Sequence, residues 1–109
     1  MDSIEYWIEE RIKTEKESVL EIVRKLIKKD DLTNPSKKRD LSVKRFYLFW
    51  VLYKQGYKHE YIGSLFLRDR TTVVHGVNQY LNLKHYKDVK FTIQDYKRAL
   101  NNGGIYQDT

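Results

Sequence analysis

The chain has 109 residues, with 21 Lys/Arg against 15 Asp/Glu for a net charge of +6, and it has no cysteine. That length suits one compact domain with a moderate core, and the missing cysteines exclude disulfide staples and thiolate metal sites, as fits a reducing cytosol. No apolar run approaches the roughly 20 residues that span a bilayer, and the acidic, Trp-containing N-terminus does not read as a signal peptide, so a soluble cytoplasmic protein is expected. The charge is unevenly placed: residues 1–36 hold 7 Lys/Arg against 9 Asp/Glu, whereas residues 37–109 hold 14 against 6. A positive field confined to the second part suits contact with phosphates through counterion release, and equally fits a solvated basic surface.

Asp2 to Lys13 carries Ile4, Trp7, Ile8 and Ile12 on one helical stripe. This stripe packs either on the domain's own core or on a partner, a second copy included. Thr14-Glu15-Lys16-Glu17 fits a capping box, and a second helix is expected from about Glu15 to Lys29 with Val19, Ile22, Val23, Leu26 and Ile27 inward. The two segments also read as one continuous helix. Asp30 to Asp40 is a polar connection in which Pro35 disfavours helix at Asn34 and Lys37-Lys38-Arg39 forms a basic run that is either simply solvated or, lying directly before a helix expected near DNA, in contact with phosphates. Asp40 or Ser42 is expected to cap a helix from roughly Val43 to Gln55, ended by Gly56 at the C′ position. Phe46 to Tyr53 makes that helix apolar nearly all round, the mark of a central buried element. Lys44 and Arg45 at its start must face solvent or a ligand.

Lys58 to Phe66 is a short amphipathic segment with Tyr61, Ile62, Leu65 and Phe66 on one side. Arg68-Asp69-Arg70-Thr71-Thr72 then precedes Val74, Val77 and Leu81 at helical spacing. Two helices so close together predict a helix-turn-helix whose second helix enters a major groove. Asp69 or Thr71 can cap that helix. Its first turn carries the side chains that read base edges: Arg70 for guanine, Asp69 for the cytosine amino group, Thr71 and Thr72 for polar edges or the thymine methyl. Lys58, Arg68 and His75 are placed for phosphates, with His75 open to a half-buried structural role. Lys84 to Lys90 reads as irregular, Thr92 starts a last helix through Leu100, and residues 102–109 form a tail. The expected organisation is an N-terminal segment and linker over 1–36, a helix-turn-helix core over 37–101, and the tail.

Ile62-Gly63 followed by Arg68-Asp69-Arg70-Thr71-Thr72-Val73-Val74-His75 resembles the signature of the C-terminal DNA-binding domain of the bacterial replication initiator DnaA. There isoleucine-glycine is followed by arginine-aspartate-histidine-threonine-threonine-valine, an aliphatic residue and histidine. The chain departs at Arg70, where the family has histidine, and at Gly76, where alanine is common. The resemblance extends at pattern level over about residues 15–100. It implies an all-α domain similar to Trp-repressor-like folds, bound to double-stranded DNA in replication initiation or transcription regulation, on a bacterial nucleoid or in the host of a phage. It also implies a basic residue in the minor groove. Aligned from Asp31-Leu32 this residue is Arg45; aligned back from Ile62-Gly63 it is Lys44. Arg45 is favoured, because a one-residue deletion near Gly56 is easily absorbed in a loop.

A complete DnaA carries an AAA+ ATPase, but no Walker motif or Gly-rich phosphate loop occurs here. His59, His75 and His85 lack metal-ligand spacing. No metal, cofactor, small-molecule substrate or catalysis is expected. A protein-interaction module acting through Ile4, Trp7, Ile8 and Ile12 is the alternative function.

Overall fold

In a computed structural model of the chain, the described residues are 18–102, and they are all-helical with no strand among them. Helix α1 covers 18–29, followed by α2 (Arg39–Lys54), α3 (His59–Phe66), α4 (Arg70–Leu83), α5 (Lys87–Thr92) and α6 (Gln94–Asn102). The expected stripe of Ile4, Trp7, Ile8 and Ile12, the Thr14 capping box and the tail after Asn102 lie outside the described residues. No helix among the described residues is long and apolar enough to cross a membrane.

Helix α2 is the axis of the packing, as its all-round apolar surface requires. Val43, Tyr47, Leu48, Phe49, Trp50, Val51 and Leu52 are all buried along it. From α1, Val19, Val23, Leu26 and Ile27 join the same cluster, which runs on through Ile62, Phe66, Val73 and Tyr80 to Ile93, Tyr96 and Leu100. Residues 18–36, set apart in the sequence as an N-terminal segment, thus share one core with the rest. Aromatic contacts fix where the later helices sit. Phe49 meets Phe66 of α3 edge-on at 4.7 Å, and Tyr80 of α4 lies between Tyr47 at 5.3 Å and Trp50 at 5.0 Å.

The ends of α1 and α2 close by the same device. After α2, Gly56 takes a φ of +94°, the Gly56 N–H donates to the Tyr53 carbonyl at 2.9 Å, and the Tyr57 N–H donates to Leu52 at 3.2 Å. After α1, Asp31 occupies the left-handed position at φ 50°, and the Leu32 N–H returns to the Ile27 carbonyl at 2.9 Å. That turn drives Leu32 into the core with no exposure at all.

Two expectations about element bounds are corrected. Helix α2 begins at Arg39, four residues before Val43, with Lys38 as its N-cap and no side-chain cap from Asp40 or Ser42. Asp40 sits in the first turn, where its charge complements the helix dipole, and Leu41 packs against the core. The stretch expected to be irregular before Thr92 contains α5, held by the burial of Val89, and the last helix begins at Gln94.

Candidate nucleic-acid interface

Helices α3 and α4 are joined by only Leu67, Arg68 and Asp69. Leu67 closes α3 in a left-handed conformation, and the Arg68 N–H donates to the Gly63 carbonyl at 2.9 Å. The turn needs glycine at 63, because a Cβ there would lie 2.5 Å from the Arg68 carbonyl oxygen. Asp69 is the N-cap of α4: its Oδ1 accepts from the Thr72 N–H at 2.8 Å, satisfying a donor that the helix leaves unpaired. Of the two expected caps, Asp69 is therefore the one used. The backbone N–H of Thr72, reinforced by its hydroxyl, holds the Asp69 carboxyl below its usual value.

Beyond the cap, Arg70 and Thr71 are exposed and Thr72 is half-buried. Arg70 lies across the exposed Glu60 of α3 at 3.5 Å. The inward face of α4 is Val73, Gly76, Val77 and Tyr80, so the expected stripe of Val74, Val77 and Leu81 is corrected: Val74 and Leu81 are exposed. Gly76 decides that phase, since a Cβ there would collide with Phe49 Cδ2 and meet Phe46 Cδ1 at 2.9 Å. Helix α4 can approach α2 this closely only on the glycine side. The outward face therefore runs through Thr71, Val74, His75 and Asn78. Val74 and Asn78 were missed from the sequence, although their spacing of three and seven residues from Thr71 carries the signal.

Arg45 is turned inward, with 5% of its surface exposed. Its Nε donates to the Leu32 carbonyl at 2.9 Å, Nη1 to Ser36 at 2.7 Å, and Nη2 to the Asn34 carbonyl and side-chain oxygen at 2.9 and 3.2 Å. All three nitrogens are engaged in holding the 32–36 loop, so the expected role in a minor groove is corrected. Lys44, half-buried, is directed elsewhere. It pairs with Asp30 at 3.3 Å, lies 5.4 Å from the Tyr96 ring centre, and lines a separate hollow beside α5 and α6. Arg68 folds onto the same loop, with Nη1 donating to Thr33 and Phe66 carbonyls and Nη2 to Asn34. Burial first, and the neighbouring Arg68 charge second, pull the Arg45 guanidinium below its ordinary value.

Between this loop, α2 and the start of α4 lies a cleft of about 640 Å³. It brings together Lys37, Arg45, Arg68, Thr72 and His75 over a floor of Phe46 and Phe49. Among the described residues no Asp or Glu lines it, and the hydrogen bonds of the two guanidinium groups go to neutral oxygens, with Asp31 acting on Arg45 only through its field. His75 is exposed, with its ring edge-on to Phe46 at 6.2 Å. Lys37 and Lys38 are exposed beside the cleft, and Lys58 is exposed at the N-cap of α3. Arg39 is set apart from them, since its Nε binds Asp88 at 3.0 Å.

The fold and this surface define a small all-helical domain with a capped helix-turn-helix beside a cationic cleft. No family model, curated protein or solved structure matches the chain.

Proposed function

We propose that the chain binds double-stranded DNA sequence-specifically, laying α4 into the major groove. The observation that carries this reading is the conjunction at one end of α4: a solvent-facing first turn, capped by Asp69, next to a cleft with basic side chains and, among the described residues, no carboxylate. Asp69, Arg70, Thr71 and Thr72 read base edges in this proposal, extended along the helix by Val74 and Asn78. Lys37, Lys38, Lys58 and His75 contact phosphates and set the register, while Arg68 and Arg45 contribute fixed charge from the cleft wall. The Arg70–Glu60 pair is a weak surface contact that Arg70 gives up for guanine on binding. The sequence resemblance to the DnaA DNA-binding domain supports the same placement of α4. It gives the process served as replication initiation or transcription regulation, in a bacterial cytoplasm. With no ATPase motif in the sequence, the proposed role is occupancy of a site, without catalysis.

The test is a selection from random duplexes, followed by titration of the selected sequence at several salt concentrations. The expected result is a defined consensus and an affinity that falls linearly in log–log form with salt. Absence of duplex binding at low salt would falsify the reading and leave a protein-interaction role.

A further inference from the structure

We propose that Leu67 is a specificity residue that reads the 5-methyl group of thymine in the major groove. This inference rests on the duplex-DNA reading above. Three observations meet at Leu67. The residue is 74% exposed, so burial does not account for an aliphatic side chain there. Its backbone is left-handed at φ 56° and ψ 42°, a conformation that a Cβ disfavours and that glycine adopts freely. Among the described residues, the other non-glycine at positive φ is Asp31, a residue type that tolerates this region and whose carboxylate accepts hydrogen bonds from the Thr33 and Asn34 side chains. The turn thus needs the conformation of residue 67 but has no use for its four-carbon side chain.

The third observation is position. Leu67 lies on the wall of the cationic cleft with Arg68, Thr72 and His75, two residues before the Asp69 cap. Hydrocarbon held at that rim, where the surrounding charge draws in a polyanion, meets the edges of the base pairs next to those read by the first turn of α4. The apolar group that base pairs display in the major groove is the thymine methyl. A leucine side chain against that methyl excludes water from both, whereas cytosine or uracil at the same place leaves the leucine facing a bare ring edge.

The experiment titrates the selected duplex with deoxyuridine replacing thymidine one position at a time, against the wild type, Leu67→Gly and Leu67→Asn. Both variants accept the left-handed backbone, and circular dichroism is expected to show them folded with a Tm no lower than that of the wild type. At one or two thymidine positions, wild-type affinity is expected to fall roughly fourfold on loss of the methyl, the worth of one buried methyl group. At those positions both variants are expected to bind thymidine and deoxyuridine alike, with an unchanged salt slope. Equal wild-type affinity for thymidine and deoxyuridine at every position overturns the inference. So do variants that keep the wild-type ratio. A change in oligomeric state on light scattering with the ratio preserved overturns it in favour of a protein partner on Leu67. If the wild type binds no duplex at all, the DNA reading itself has failed, which separates the two failures.

Discussion

Arg45 and Arg68 share one acceptor: both guanidinium groups donate to the carbonyl oxygen of Asn34, at 2.9 and 2.5 Å. Arg45 starts from α2 and Arg68 from the turn before α4, so this single peptide group ties the central helix to the helix-turn-helix through the 32–36 loop. Replacing Arg45 with Met should strip the Leu32, Asn34 and Ser36 carbonyls of a partner and destabilise the protein by about 3 kcal/mol. Arg45→Lys should recover less than half, because one ammonium cannot span three carbonyls. Urea denaturation midpoints measure both. Unchanged stability with duplex binding abolished would restore Arg45 to the groove.

Gly76 and Gly63 are packed for different reasons and should fail differently. Gly76→Ala presses a methyl into the Phe46 and Phe49 rings. An overpacking loss of about 1–3 kcal/mol should outweigh the gain of about 1 kcal/mol in helix propensity. Gly63→Ala meets the backbone oxygen of Arg68, which no side-chain rotation relieves, so it should be the more damaging of the two. Thermal melts of the pair give the order.

Stability should fall in acid, and Asp30 should account for part of the fall. Burial alone raises its carboxyl. The Tyr96 hydroxyl and the Lys44 ammonium more than reverse this, leaving it below the ordinary 3.8. A folded value below the unfolded one means that the ionised form is favoured by folding. Its contribution is therefore complete above about pH 3.8 and is lost as pH falls through the depressed value. Asp69 and Asp88 are lowered in the same sense. Unfolding free energy followed from pH 6 to pH 2 should drop, and Asp30→Asn should flatten part of that drop. An Asp30→Asn profile parallel to the wild type would show that the Tyr96–Lys44 contacts do not favour the ionised carboxylate.

Arg70 and Lys58 should separate base reading from phosphate grip. With both side chains of the Arg70–Glu60 pair about two-thirds exposed, Arg70→Ala should leave stability nearly unchanged. It should relax preference at one base position, with a loss of roughly 1–3 kcal/mol in binding. A repeat selection giving an unchanged consensus would remove Arg70 from the base-reading set. Lys58→Ala should instead weaken all sequences alike and reduce the salt slope by about 1.

Much of this arrangement is legible in the sequence where local chemistry decides. Asp69 three residues before Thr72 is a cap by its spacing, Gly56 after a long apolar run is a helix stop, and Phe46 to Tyr53 can only be a central helix. What was not legible depends on contacts far apart in the chain. An arginine near a helix start is equally suited to a groove or to a loop. The choice falls inward because the 32–36 loop turns its carbonyls toward α2, which no local pattern around Arg45 reveals. Val73 and Val74 are interchangeable by hydropathy, and the phase of α4 was set by Phe49 against Gly76, across 27 positions of sequence. Val89 reads as part of a polar stretch because one apolar residue among charges gives no period. Its burial under α5 is a tertiary fact.

On the proposed duplex-DNA reading, the seat of α4 on a glycine bears on how preference for one sequence over another can change. With only a hydrogen atom between the backbone at 76 and the Phe49 ring, the tilt of the whole rod is set from beneath. Trimming or enlarging either phenylalanine would pivot all four tip residues together, without touching any of them. A new target could then arise through a floor substitution that never meets the ligand.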